Sequence, residues 1–387
     1  MKSVLQMIGF IGIRIIVSFI YKIFWVFPVK NNRIVFTSSR DKEFIDNPKY
    51  LCQYLHEKYP GCFEFVFTVK RNVDHADVEY IRTTRHRSIG WVYDLATAKV
   101  VVWSAGQPYW LTRRKKQLVI ETWHGGGSFK RTDTMDRNPI INSWKKKRNR
   151  NYVNLFVSSS RIFTQSNIIE GKQYDGEVLS CGMPRNDFLF CREQVVKGSE
   201  KVRQQYGFGD AFCVLYAPTF RGYRKTKEKI RTFPPLAEVA KALREKTGQN
   251  VVILLRSHYD DQNRYDIPGT TVDVSDYPDM QELICCSDIL ITDYSSTMWD
   301  YALLGRPCYL FVPDRKEYER DRGFYTPIEE WPGIICRNGD ELLKEIKEMN
   351  VERSRKIAEQ YLEKAGSYEH GNAAETIANV IIQHMKG

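Results

Sequence analysis

The chain has no CxxC pair, no Cys/His cluster at zinc spacing, no internal repeat, no coiled-coil heptad and no low-complexity tract. Those absences exclude a zinc module, a dithiol redox motif and a solenoid. Nine cysteines, an odd number, sit mostly inside apolar segments such as "AFCVLYAP". That placement reads as core packing in a reducing compartment rather than a disulfide framework. Long apolar runs are scarce too. The opening "MKSVLQMIGFIGIRIIVSFIYKIFWVFPVK" is strongly apolar, yet Arg14 and Lys22 divide it. Neither uninterrupted run reaches the ~20 apolar residues of a comfortable membrane span. No small-residue cleavage site follows, and "IFWVFPVK" is too bulky for one. The expectation is a helix lying in a bilayer surface, with Arg14 and Lys22 on its polar edge and Trp25 on the apolar side. A true span and a helix packed on its own protein are the alternatives. The basic runs "RRKK" (113–116) and "WKKKRNR" (144–150) would add adhesion to an anionic cytoplasmic leaflet. Either one alone is also an ordinary solvated face.

What is present describes a globular enzyme-sized chain. Its 387 residues suffice for two domains, with 42% hydrophobic and 27% charged content. Fifty-eight basic against 47 acidic residues leave a net charge of +11 and a pI near 9.1. That excess favours anionic partners without choosing among nucleic acid, anionic lipid and phosphorylated metabolites.

After residue 30, short apolar runs alternate with amphipathic stretches. "RIVFTSS", "CFEFVFTV", "AKVVVWSAG", "QLVIETWHG", "NLFVSSS" and "GEVLSCG" read as strands. Asp46 with Pro48 opens one helix between them and Ser88 another. A charged, poorly patterned stretch, "CREQVVKGSEKVRQQYGFGD", then intervenes. Beyond it come "AFCVLYAPTF", "NVVILLRSH", "TTVDVSD", "DILITDYSS" and "PCYLFVPD", with helices around 236–246, 280–286 and from Thr297. Alternating β and α elements predict parallel sheets with helices on both faces. The expectation is an α/β fold of two Rossmann-like domains facing a cleft. Residues 1–30 form an apolar helix, 31–195 one domain and 196–387 the other, with the last helices crossing back.

Four motifs fall just past strands. "WHGGGSFK" places His124 beside Gly125, Gly126 and Gly127, where bare backbone approaches a ligand closely. A flexible loop with a surface His is the plain alternative. "YAPTFRGY" ends a strand at Pro218 and frees Thr219 and Arg221 for the cleft. In "LLRSHY", Arg256 and His258 point the same way on extended backbone. "ITDYSSTMWDYA" sets Ser295 and Ser296 at a strand-to-helix junction, where hydroxyls and free N–H groups make an anion site, with Asp300 one turn on. Each signal is weak singly. Together they describe a diphosphate held between two domains, with one imidazole left over as a base.

The same set, with "GMPRND" and "Y…RGFY", resembles the motif series of the CDP-glycerol glycerophosphotransferase family, over about residues 31 to 385. Its most specific block is "TDYSSTMWDYALLGRP". The resemblance implies a glycosyltransferase-B-like fold attached peripherally to the cytoplasmic face of the bacterial cell membrane. It implies transfer of a polyol phosphate from CDP-glycerol or CDP-ribitol to a lipid-linked saccharide or polyol-phosphate acceptor, in teichoic-acid or capsule synthesis. His124 would be the base and His258 the second histidine, stabilising charge with Arg256. Ser295 and Ser296 would bind phosphate, Asp300 would be the acid that follows, and Arg185, Pro218 and Thr219 further nucleotide contacts. No cofactor or metal is required, although a divalent ion is compatible; a homo-oligomer is open, and nucleic acid is not a partner. Two departures stand out. Gly126 and Gly127 replace a Thr-Pro, implying a looser loop with a different acceptor preference, and Tyr259 replaces a Pro. The short apolar segment before the α/β region is like that of the smaller primases.

Two rivals remain at this level. One is a nucleotide-sugar glycosyltransferase of the same plan, which would normally carry a ribose-binding Glu near the fourth motif. The other is a non-catalytic basic protein whose 22 Tyr, 20 Phe and 8 Trp stack on bases or meet a membrane. Those aromatics fall largely within core strands, and no nucleic-acid module is present.

Overall fold

The computed structural model describes residues 16, 18–38, 44–70, 78–105, 111–131, 151–219, 232–257 and 271–387. His258, Arg221, Arg14 and the run 144–150 lie outside the described residues.

Two all-parallel sheets dominate. The first has seven strands in the order β3-β2-β1-β4-β5-β6-β7. These are β1 Lys30–Thr37, β2 Glu64–Val69, β3 Ile81–Arg85, β4 Ala98–Trp103, β5 Leu118–Glu121, β6 Leu155–Ser158 and β7 Glu177–Ser180. Strands such as "AKVVVW" are buried along their whole length, as a sheet covered on both faces requires. The second sheet has six strands in the order β10-β9-β8-β11-β12-β13. They are β8 Phe212–Ala217, β9 Val251–Leu255, β10 Thr271–Asp273, β11 Ile289–Thr292, β12 Cys308–Phe311 and β13 Ile334–Cys336. Its strand order reverses between β8 and β11, so the loops after those strands part and leave a crevice at their carboxyl ends. The corresponding reversal in the first sheet lies between β1 and β4, next to β5.

The stretch expected to be irregular, around residues 192–206, is a regular helix, Arg192–Tyr206, ended by left-handed Gly207. Gly198 and Val202 are buried in it and Val195 and Tyr206 pack against the second sheet's core, but the charged residues between them and the exposed Val196 obscure that period in the sequence. Strand β3 also went unread, because "IRTTR" is a charged edge strand. A third surprise is an eight-residue π-helix, Thr164–Gly171.

One core gathers the first sheet together with Ala373, Ile377 and Ile381 of the final helix, Ala373–Lys386. Two others cover the faces of the second sheet. The Asp187 carboxylate accepts from the N–H groups of Ala373 and Ala374 and so caps that final helix onto the first sheet's side. At the other end of the chain Tyr21 is fully buried, whereas Phe19, Ile20, Ile23, Val26 and Phe27 are exposed. Arg114 donates to the carbonyls of Trp25, Phe27 and Ala96, fixing the end of this segment to the body. Among the described residues no helix is long and apolar enough to cross a membrane.

Candidate active site

The loop after β5 is the seam of the molecule. Thr122 is pinned to β4 by its N–H and hydroxyl, both donating to the Trp103 carbonyl. Trp123 then takes a left-handed backbone, φ +56°, an uncommon conformation for a bulky residue. Its N–H donates to Glu121 Oε1 at 3.0 Å, and its carbonyl accepts from Asn47 Nδ2 at 2.9 Å. The Lys172 ammonium sits 3.4 Å from the centre of its ring, and that ring leans on His124 at 4.3 Å. These contacts hold a strained backbone that aims the next residue, His124.

The three glycines face protein, not open space. A Cβ on Gly125 would stand 2.8 Å from Ser296 Oγ, and one on Gly126 would be 2.0 Å from Trp299 Cδ1. Gly127, at φ +67°, is crowded by Phe129. The loop is therefore tightly packed, contrary to the looseness expected from Gly126 and Gly127. Removing two Cβ atoms lets the helix Thr297–Ala302 rest on the loop backbone. Beyond it Lys130 pairs with Phe324 in an antiparallel bridge, and Tyr325 N–H donates to the Phe129 carbonyl. "SFK" and "RGFY", far apart in sequence, thus lie side by side.

His124 Nδ1 donates to the Ser104 carbonyl at 2.8 Å, which fixes the tautomer and leaves Nε2 as the acceptor on the cleft side. Desolvation by the surrounding protein lowers its pKa, towards about 4, although the residue is exposed in the open cleft. The Asp46 carboxylate and the Ser104 bond oppose that fall, while Lys172 and Arg185 add to it. The open side of the ring meets solvent, so desolvation acts in full only when a ligand fills the cleft. The ring is neutral at pH 7.

A cleft of about 470 Å³ begins at His124 and is lined from the second sheet by Pro218, Thr219, Arg256, Ser295 and Ser296. Thr219 is held by its N–H donating to both oxygens of Asp293, at 3.0 Å each. Arg256 anchors one Nη on the Tyr277 carbonyl at 2.6 Å while lining the cleft. Ser295 Oγ accepts from Thr297 N–H at 3.3 Å; Ser296 makes no side-chain cap.

Arg185 and Asp300 are engaged with each other. The Asp300 carboxylate accepts from Arg185 Nη2 at 2.8 and 3.1 Å. Arg185 Nη1 reaches Asp46 Oδ1 and the His124 carbonyl, both at 2.8 Å. Burial pushes the Asp300 carboxyl up, with Arg185 pulling back, and the flanking carboxylates keep the guanidinium charged. This arrangement makes a strut beneath His124, with contacts to both lobes. Deeper still, Glu369 accepts from Trp299 Nε1, Asn186 Nδ2 and the Met183 N–H at 2.9–3.0 Å. Burial lifts its carboxyl to about 7 despite those donors. At the rim Lys49 pairs with Asp279, whose carboxylate also accepts from Tyr50 Oη at 3.0 Å. Burial pushes Asp279 up, but the Lys49 ammonium holds it below its usual value.

His124, the three glycines, Arg185, Pro218, Thr219, Arg256, Ser295, Ser296 and Asp300 all line this one cleft. Lys22 and Trp25 lie away from it, on the N-terminal segment. Sequence reasoning missed Asp46, Asn47, Trp123, Asn167, Lys172, Asp279 and Glu369. Asp46 was read only as a helix start; its positive φ of 64° and unpaired, buried Oδ2 mark it as a cleft residue. Nothing local in the sequence reveals those features.

Comparison with known proteins places the chain. It is 30% identical over 92% of its length to a teichoic acid poly(glycerol phosphate) polymerase of Staphylococcus epidermidis, spanning 51% of that protein. It is 29% identical over 89% of its length to the polymerase of the same name from Bacillus spizizenii, spanning 91% of it. Ribitol-phosphate enzymes of teichoic acid synthesis are also among the relatives. Among solved structures, a histidine variant of the wall teichoic acid polymerase TagF soaked with CDPG superposes with a TM-score of 0.77. It is 28% identical, with 92% of this chain and 90% of that one covered. The family model described as CDP-Glycerol:Poly(glycerophosphate) glycerophosphotransferase matches residues 19–383, and the chain belongs to that family of enzymes.

Proposed function

We propose that this chain transfers glycerol phosphate from CDP-glycerol to a hydroxyl of a lipid-linked saccharide or polyol-phosphate acceptor, releasing CMP. One observation carries the reading: a neutral imidazole with its Nε2 free faces Thr219, Arg256, Ser295 and Ser296 across a single cleft. His124 Nε2 takes the proton of the acceptor hydroxyl. The oxygen attacks the phosphorus that bears glycerol, the bond to the bridging oxygen breaks, and CMP leaves with the electron pair. Arg256 and the serine hydroxyls neutralise the charge on the diphosphate as it shifts to CMP. Phosphoryl transfer depends mainly on placement and charge stabilisation, which fixed groups of this kind supply. Arg185 and Asp300 position the base through the His124 carbonyl rather than touching phosphate.

The two parallel sheets with the cleft at their carboxyl ends fit a glycosyltransferase-B-like architecture. The exposed Phe19, Ile20, Ile23, Val26 and Phe27, with the exposed Lys22 among them and Lys115 and Lys116 next to Arg114, which anchors this segment, support peripheral attachment to an anionic membrane surface. The ribitol-phosphate relatives favour CDP-ribitol as the second donor to try. The purified full chain is incubated with a soluble glycerol phosphate dimer as acceptor and, in turn, CDP-glycerol, CDP-ribitol and UDP-sugars; the proposal expects CMP release and an acceptor heavier by one polyol phosphate. UDP release, or no nucleotide from any donor, counts against it.

A further inference from the structure

Asn167 occupies an unusual place. It is 4% exposed, lines the cleft, and its Oδ1 is buried with no partner among the described residues. A buried amide left unsatisfied is costly, and such groups need a reason. The backbone around it is equally unusual. Asn167 lies in the π-helix Thr164–Gly171, whose last turn closes through Lys172 N–H to the Asn167 carbonyl at 2.8 Å. Such turns are rare and recur at functional sites because they re-aim a side chain.

Both flanks of this turn are tied to the loop that carries the base. Ser166 donates to the Ile162 carbonyl at 2.6 Å and accepts from Ser128 Oγ. Lys172 sits on the Trp123 ring. Asn167 is thereby held on the same side of the cleft as His124, opposite Arg256 and the serine pair. An amide offers one acceptor and one donor group side by side, the complement of an alcohol, and it carries no charge to compete for phosphate.

We propose that Asn167 is a specificity-determining residue that hydrogen-bonds the acceptor polyol at the hydroxyl next to the attacking one. The inference rests on the transfer reading above, and it assigns the wall beside the base to the acceptor. A site built to bond a hydroxyl discriminates strongly against the analogue lacking it, because its own polar group is then left unpaired.

Two soluble acceptor probes test it: a glycerol phosphate dimer, and the same molecule ending in propane-1,3-diol phosphate, which lacks the middle hydroxyl. The wild-type chain should prefer the glycerol end by about tenfold in acceptor KM. Asn167→Leu, which keeps the branched shape and removes the amide's hydrogen bonds, should abolish that preference by raising the KM of the glycerol probe about tenfold, with the KM for CDP-glycerol unchanged. Asn167→Ala, read in the same way, covers the case in which the leucine variant misfolds. No preference in the wild-type chain, or a preference that survives both substitutions, overturns the proposal. So does an equal rise in donor and acceptor KM, the mark of a merely structural role. If the wild-type chain releases no CMP from CDP-glycerol, the transfer reading has failed. The two probes are then compared by calorimetric binding, where loss of a tenfold preference on substitution supports the assignment and absence of any preference overturns it.

Discussion

Gly126→Ala puts the packing of the seam to a quantitative test. The added methyl would lie 2.0 Å from Trp299 Cδ1 and 2.2 Å from Nε1. Carbon atoms make good contacts at about 3.5–4.0 Å, so the indole would have to retreat by roughly 1.5 Å. It has little room, being fully buried, set edge-on to Tyr361 and bonded through Nε1 to Glu369 at 3.0 Å. Overpacking a core costs about 1–3 kcal/mol, and losing a hydrogen bond to a buried carboxylate about 1.5–3 more. Gly126 does not have a positive φ, so backbone strain adds nothing. The expected loss is roughly 2.5–6 kcal/mol of unfolding free energy in urea. Trp299→Leu opens the space that the methyl would fill, so the double variant should be more stable than the sum of the singles by at least about 2 kcal/mol. A Gly126→Ala protein within about 0.5 kcal/mol of the parent would refute the packing described here.

Arg185→Met should cost about 3–5 kcal/mol, because it strands Asp46 and Asp300 as buried carboxylates without their shared cation; urea unfolding reads it, and a neutral result contradicts the strut. The pH dependence of kcat, which reports the filled cleft, should show no acid limb at the ordinary histidine value of 6.5, since desolvation then lowers the His124 pKa towards about 4. The stability linked to that histidine has the same sign: it is full above pH 6.5 and declines below it, where the unfolded chain binds the proton first. A limb at 6.5 would show the ring to be no more desolvated than a surface histidine. Replacing the exposed Phe19, Ile23 and Val26 with Ser should leave thermal stability unchanged and reduce co-sedimentation with phosphatidylglycerol vesicles. Deletion of residues 1–26 removes the buried Tyr21 and should lower stability.

Much of the fold was legible because parallel strands buried on both faces are plain apolar runs; β4, β8 and β11 stand out in the sequence for that reason. The helices Met280–Cys286 and Leu236–Thr247 were readable from their apolar spacing. The helix Arg192–Tyr206 was not, since its buried face is only Val195, Gly198, Val202 and Tyr206 amid charged residues, with Val196 exposed beside them. The π-turn that carries Asn167 depends on ties to Ser128 and Trp123, which are tertiary. The same holds for the site. His124 and the serine pair announce themselves by residue type and by position past a strand. Asp46, Trp123 and Glu369 act through conformation and burial, and a Glu between "GSY" and "HGN" looks like any surface acid until Trp299 and Asn186 close over it. Arg185 lies in a motif and lines the cleft, but its pairing with Asp300 spans 115 residues of sequence.

The most direct measurement is CMP release from CDP-glycerol by His124→Ala, set beside calorimetric binding of the same donor. Loss of a positioned general base should slow turnover by about 10²–10⁴-fold. The donor Kd should stay within about threefold, because the proposed function has the diphosphate held by Arg256, Thr219 and the two serines, which line the cleft from the second sheet. Turnover that persists, or that falls only in step with donor affinity, would show that His124 holds the nucleotide and that some other group takes the proton.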